Sequence, residues 1–135
     1  MIAPQTYSFV FSGETGQGFG VLHITGKSAF AVDQTNVKYR GSAIETEDGG
    51  IQVDMIASIP AGVNLVSGAA EQEIDTSRPI SHKFDSELGN GKPLSIMFAG
   101  AKVIAIFKRV PNELADVPNT GFSYSFARQI WGWER

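Results

Sequence analysis

The chain has 135 residues, no cysteine, fifteen glycines, nine phenylalanines and a formal net charge of −3. That length sets a single domain with a real core, and the mild charge carries no long-range field for nucleic acid. The absence of cysteine excludes disulfides, thiolate metal sites and a cysteine nucleophile.

Rich in glycine and phenylalanine and poor in helical runs, the sequence predicts an all-β protein with many turns. Met1-Ile2-Ala3-Pro4-Gln5 has neither a basic n-region nor an apolar h-region. No apolar run approaches the ~18–20 residues of a membrane span. The expectation is a cytoplasmic protein without a span.

Thr6–Ser12 reads as a first strand, with Tyr7, Phe9 and Phe11 on one face and Val10 on the other. After the turn Gly13–Gln17, a second strand over Gly18–Thr25 alternates Phe19, Val21 and His23 with Leu22 and Ile24. Gly26-Lys27 turns into a short third strand, Ser28–Val32, and Asp33–Asn36 is a polar loop. Then come two long strands, Val37–Thr46 and Ile51–Ile59, joined by Glu47-Asp48-Gly49-Gly50. Ile51, Val53, Met55, Ala57 and Ile59 share a face at period two, with Ile56 breaking the pattern, as in a half-buried antiparallel strand. Asp-Gly before a second Gly supplies the positive φ of a tight hairpin.

After Pro60, Ala61–Val66 reads as a helical turn or an irregular cover, and Ala69–Thr76 as an exposed or edge strand. Ser77–Lys92, with Pro79 and Gly89-Asn90-Gly91, reads as mostly loop anchored by Ile80 and Phe84. Pro93–Ala99 and Lys102–Val110 form a last hairpin. Leu94, Ile96 and Phe98 face one way, Val103, Ala105 and Phe107 share a parity, and Ile104 and Ile106 make the final strand a candidate for burial on both sides. About eight strands with short connections favour an up-and-down meander, and a sheet of that size commonly closes into a barrel.

On this reading residues 1–110 are one barrel domain and residues 111–135 are a linker and an aromatic tail. The tail carries Phe122, Tyr124, Phe126, Ile130, Trp131 and Trp133. Exposed large aromatics mark docking surfaces, so the tail either packs on its own barrel, docks on a second subunit or partner, or meets a membrane interface with only Arg128 and Arg135 as cationic anchors.

Gly13-x-x-Gly16-x-Gly18-x-Gly20 invites a phosphate-loop reading, but a strand rather than a helix follows it. Gly26-Lys27-Ser28 ends like a Walker A loop, yet Val21 stands where its first glycine belongs. His23 and His82 form no metal-binding pair, and no nucleophile elbow is present. His23, sharing its face with Phe19 and Val21, reads as a hydrogen-bonded interior histidine. Glu71, Glu73 and Asp75 share a strand face and read as a solvated surface. The residues suggest no enzyme, cofactor or metal. The remaining candidate is the acidic hairpin tip of Glu45, Glu47 and Asp48. It either keeps a sheet edge soluble or docks a basic partner.

Taken in order, Tyr7-Ser8-Phe9-Val10-Phe11, Gly18-x-Gly20 leading Val21–Ile24, Val37-x-Tyr39-x-Gly41 before the acidic turn, Ile59-Pro60 and the hairpin Leu94–Lys108 resemble the GrlR family. These are small bacterial negative regulators of type III secretion genes. The resemblance spans roughly residues 6–109. It implies a lipocalin-like eight-stranded barrel that dimerises and sequesters a transcriptional activator without contacting DNA. The family's acidic partner-binding motif falls on Glu45, Thr46, Glu47 and Asp48, three of whose four positions keep the acid. The longer Ser77–Lys92 loop and the aromatic tail depart from the family pattern.

Two functions therefore stand. The first is a regulatory protein presenting the acidic tip to a protein partner. The second is a carrier or sensor of a small apolar ligand, with Phe9, Val21, Tyr39, Val53, Met55 and Phe98 lining the barrel.

Overall fold

The computed structural model describes residues 2–14, 16–62 and 75–111. They form eight strands: β1 (Ile2–Gly13), β2 (Gly16–Gly26), β3 (Ser28–Asp33), β4 (Lys38–Glu45), β5 (Ile51–Ile59), β6 (Thr76–Phe84), β7 (Asn90–Phe98) and β8 (Ala101–Arg109). All pair antiparallel in one sheet of order β6-β5-β4-β3-β2-β1-β8-β7. Short connections make β1 to β5 a continuous meander, and β6 pairs next to β5 in the same order. The β7–β8 hairpin then returns to the start, with Phe9 opposite Phe107 and Phe11 opposite Ala105. The fold is all-β.

The free edges are β6 and β7, and the sheet curls to bring them toward each other. Phe84 of β6 meets Phe107 of β8 edge-on at 5.2 Å between ring centroids. Tyr39 of β4 lies 5.8 Å from Phe98 of β7 across the interior. The result is a curled half-barrel with an unladdered seam between β6 and β7.

Register decides which parity faces in. Tyr7 pairs with Leu22, Leu22 with Ala31, Ala31 with Tyr39, and Tyr39 with Ala57. Directly paired residues share a face, so this whole row is internal, and all five are buried. On β5, Val53, Ala57 and Ile59 are buried and Ile51 and Met55 pack against them. Ile56, the break in the pattern, points out and is 50% exposed. On β8, Val103, Ala105 and Phe107 face in, whereas Ile104 is exposed. The last strand is thus covered fully on one face only.

Two expectations are corrected here. The 77–92 stretch is not mostly loop, for it contains β6 through Phe84 and the first residues of β7. Pro79 is compatible with a strand there because β6 pairs on one side only, opposite Ile56 of β5, and an edge strand tolerates the missing N–H. Val21 does not face the interior. It pairs with Ser8 on the outer parity and is 2% exposed, while Leu22 and Ile24 point inward. Both parities of this strand are apolar, so alternation alone carries no sign for inside.

The cover after Pro60 lies outside the described residues from residue 63 onward, as does most of the edge strand expected over 69–76. The aromatic tail, with Phe122, Tyr124, Phe126, Trp131 and Trp133, lies outside them too. Among the described residues no helix is long and apolar enough to cross a membrane.

Candidate functional site: an apolar cavity with one buried carboxylate

The inward side chains do not fill the half-barrel. A cavity of about 90 Å³ remains, lined from all eight strands. Its walls are apolar: Phe9, Phe11 and Phe107 on one side, Val53 and Met55 on another, Ile96 and Phe98 toward β7. Phe9 is central, with its ring centroid 5.7 Å from Phe11 and 5.2 Å from Phe107.

The glycine-rich run explains why those rings fit. Gly18 and Gly20 face Phe11 and Phe9 across the β1–β2 ladder. A Cβ on Gly18 would stand 2.5 Å from Phe11 Cζ, and one on Gly20 would stand 2.5 Å from Phe9 Cζ and 2.4 Å from the Val32 carbonyl oxygen. The glycines leave room for the two rings over β2. They make space for aromatics rather than for phosphate.

Four polar side chains reach the cavity: Asp33, Thr35, Tyr39 and His82. Asp33 ends β3 and is 8% exposed. Its Oδ1 accepts hydrogen bonds from the Thr35 amide at 2.9 Å, the Thr35 hydroxyl at 2.6 Å and the Val37 amide at 3.3 Å. Its Oδ2 accepts the Tyr39 hydroxyl at 3.0 Å. The first three contacts are an Asx-type turn that carries the chain from β3 into β4. The fourth ties that turn to the interior. Burial pushes the Asp33 carboxyl above its ordinary range, against the pull of its four donors. Tyr39 is raised well above the usual phenol value by the same burial and by the neighbouring carboxylate.

His82 enters from β6, paired with Val53, and its ring meets Phe84 at 4.6 Å. Burial lowers its pKa, so the imidazole is neutral at pH 7. His23 is on the other face: it pairs with Thr6 and Phe30, and its Nδ1 lies 2.8 Å from Thr6 Oγ1. It is hydrogen-bonded as expected but points outward, a correction to its interior placement. The two histidines thus stand on opposite faces of one sheet and cannot share a metal.

Of the residues expected to line an interior, Phe9, Tyr39, Val53, Met55 and Phe98 do so, and Val21 does not. Sequence reasoning missed Asp33, Thr35 and His82. The signal available was weak: Asp33-Gln34-Thr35-Asn36 has the composition of an ordinary polar loop, and His82 sits in the stretch read as coil.

The acidic tip is a built turn. The Thr46 amide donates to the Gly50 carbonyl and the Gly49 amide to the Thr46 carbonyl, at 2.9 and 3.1 Å, and Gly49 takes the positive φ of 85°. Asp48 is consumed within it. Its Oδ1 accepts from the Thr46 hydroxyl and the Gly50 amide, and its Oδ2 pairs with Lys83 Nζ at 2.7 Å. The Lys83 hydrogen bond, then those from Thr46 and Gly50, hold Asp48 well below the usual carboxylate range. Glu45 and Glu47 are exposed and, among the described residues, join no ion pair. Of the four acidic-motif positions, two maintain the turn and two face solvent.

No protein-family model, curated protein or solved structure matches the chain.

Proposed function

We propose that this protein is a non-enzymatic binder of a small, largely apolar molecule held inside the half-barrel. One observation carries the reading: the inward face of all eight strands surrounds an unfilled cavity with apolar walls and a few convergent polar groups. That combination is the usual composition of a ligand site. The cavity volume is below the ~150 Å³ that accommodates benzene in an engineered protein cavity. The part of the ligand held there is therefore a short chain or small ring.

Methyl NMR on the full chain tests this. Short-chain alcohols should shift the Met55 and Val53 methyls, which face in, and leave Met97 and Ile104, which face out, unmoved. Equal shifts on both sets would mean non-specific partitioning and end the proposal.

A second reading, partner docking at the β4–β5 tip as the GrlR resemblance implies, is favoured by one feature. Ile44 is 59% exposed beside Glu45, which joins an apolar side chain to exposed carboxylates. The docking set would then be Ile44, Glu45 and Glu47, with Thr46 and Asp48 shaping the turn. Titration with an Arg-rich peptide should shift these residues and lose its effect in Glu45→Gln/Glu47→Gln. Unchanged binding by that variant would remove the tip from the interface.

A further inference from the structure

Asp33 is the anomaly of the cavity. A carboxylate taken out of water is normally paired with a cation or coordinated to a metal. Neither the cavity lining nor the ion pairs among the described residues bring a lysine or arginine to it. The turn it caps does not use all its capacity. An ionised carboxyl has about four lone-pair sites, and three of the four donors to Asp33 converge on Oδ1. Among the described residues, Oδ2 accepts Tyr39 alone. One acceptor position therefore remains on the oxygen hydrogen-bonded to Tyr39, a residue that lines the cavity beside Asp33.

The remaining polar groups sharpen the choice. Tyr39 spends its hydroxyl proton on Asp33, and His82 is uncharged at neutral pH. Among the described residues the cavity thus offers a carboxyl acceptor and no cationic donor. Such a site disfavours a carboxylate or phosphate, accepts an alcohol, and suits an ammonium best. A charge-assisted N⁺–H···O⁻ bond is roughly twice as strong as its neutral counterpart.

We infer that the ligand is a small amine, with its ammonium on Asp33 Oδ2 and its apolar stem against Phe9, Val53 and Phe98. The inference rests on the cavity being a ligand site and adds the chemical class. It also gives Asp33 two roles in one side chain: Oδ1 holds the β3–β4 turn and Oδ2 recognises the guest.

The test uses three probes sharing one four-carbon stem: n-butylamine, n-butanol and butyrate. Each is titrated into the full chain and followed by the Met55 and Val53 methyl shifts. Butylamine should bind about tenfold more tightly than butanol, the difference expected between a charged and a neutral hydrogen bond, and butyrate should bind weakest. In Asp33→Asn the amine preference should vanish while butanol binding persists. If Asp33→Asn does not fold, the Asp33 carboxyl ¹³C resonance of the parent chain supplies the second measurement: butylamine should shift it well beyond the shift that butanol causes. Butanol or butyrate binding as tightly as butylamine would overturn the amine assignment and leave the cavity reading intact. A preference that survives Asp33→Asn, or an Asp33 carboxyl resonance that butylamine leaves unmoved, would also overturn it. If none of the three probes shifts the inward methyls, the cavity reading falls and the inference falls with it.

Discussion

Tyr39 donates its phenolic hydroxyl to Asp33 Oδ2 across 3.0 Å inside the half-barrel. The two residues are on adjacent strands, and the bond links the turn that starts β4 to the cavity that β4 lines. A turn contact and a cavity contact thus meet in one side chain, so perturbing either residue should register in stability and in binding together.

Tyr39→Phe keeps the ring against Phe98 and removes only the donor. It leaves a buried acceptor with less satisfaction, which costs about 1–3 kcal/mol. Urea denaturation of the two proteins should show that loss with an unchanged m-value. A variant as stable as the parent would mean that another donor reaches Oδ2.

Stability should depend on pH through two opposed terms. Asp33 is raised by burial, so its share is full below the ordinary value of 3.8 and is lost as pH rises through its folded value. His82 and His23 are lowered by burial from 6.5. Their share is full above 6.5 and is lost as pH falls through their folded values. On acidification below about 6.5 the histidines should therefore lower the melting temperature against an opposing gain from Asp33, and His82→Gln should raise the acid limb of the profile relative to the parent's. A His82→Gln profile parallel to the parent's would show that this imidazole does not contribute.

Gly20→Ala places a methyl against the Val32 carbonyl and the Phe9 ring. The carbonyl belongs to a paired strand and cannot withdraw, so the β2–β3 ladder must shift or Phe9 must move into the cavity. Overpacking of this kind costs roughly 1–3 kcal/mol, and the same change should weaken butanol binding. Full stability together with full binding in the variant would contradict the packing described for Phe9.

The hairpin tip should separate its acids by role. Asp48→Ala removes the acceptor for Thr46, Gly50 and Lys83 together, and amide exchange at Gly50 should accelerate. Glu47→Ala should leave that exchange unchanged. Equal acceleration in both variants would mean that charge rather than the turn geometry protects the tip.

Strand identity was largely legible in the sequence because period-two alternation reports a pleated strand directly. Val53, Met55 and Ala57 on β5, and Val103, Ala105 and Phe107 on β8, were placed on common faces by parity alone. The same rule was silent on Val21 and Leu22. Apolar residues on both parities satisfy both faces, and only the pairing of Tyr7 with Leu22 selects one. β6 escaped for a related reason: Pro79 and scattered polar residues remove the alternation, and the strand exists because β5 offers it an edge.

The candidate site divides the same way. Its apolar wall was visible in Phe9, Tyr39, Val53, Met55 and Phe98, since local pattern fixes which residues travel together. Its polar end depends on contacts between segments. Asp33 and Tyr39 are six positions apart and read as loop and strand until the turn folds one over the other. His82 arrives from a strand more than forty positions further along the chain. By itself the sequence determined the all-β class, the central hairpin and the apolar inventory, because these follow from short-range periodicity and turn chemistry. The tertiary structure alone decided which face is inside, where the seam lies and which carboxylate enters the cavity, because register and sheet curl are set by pairings between distant segments.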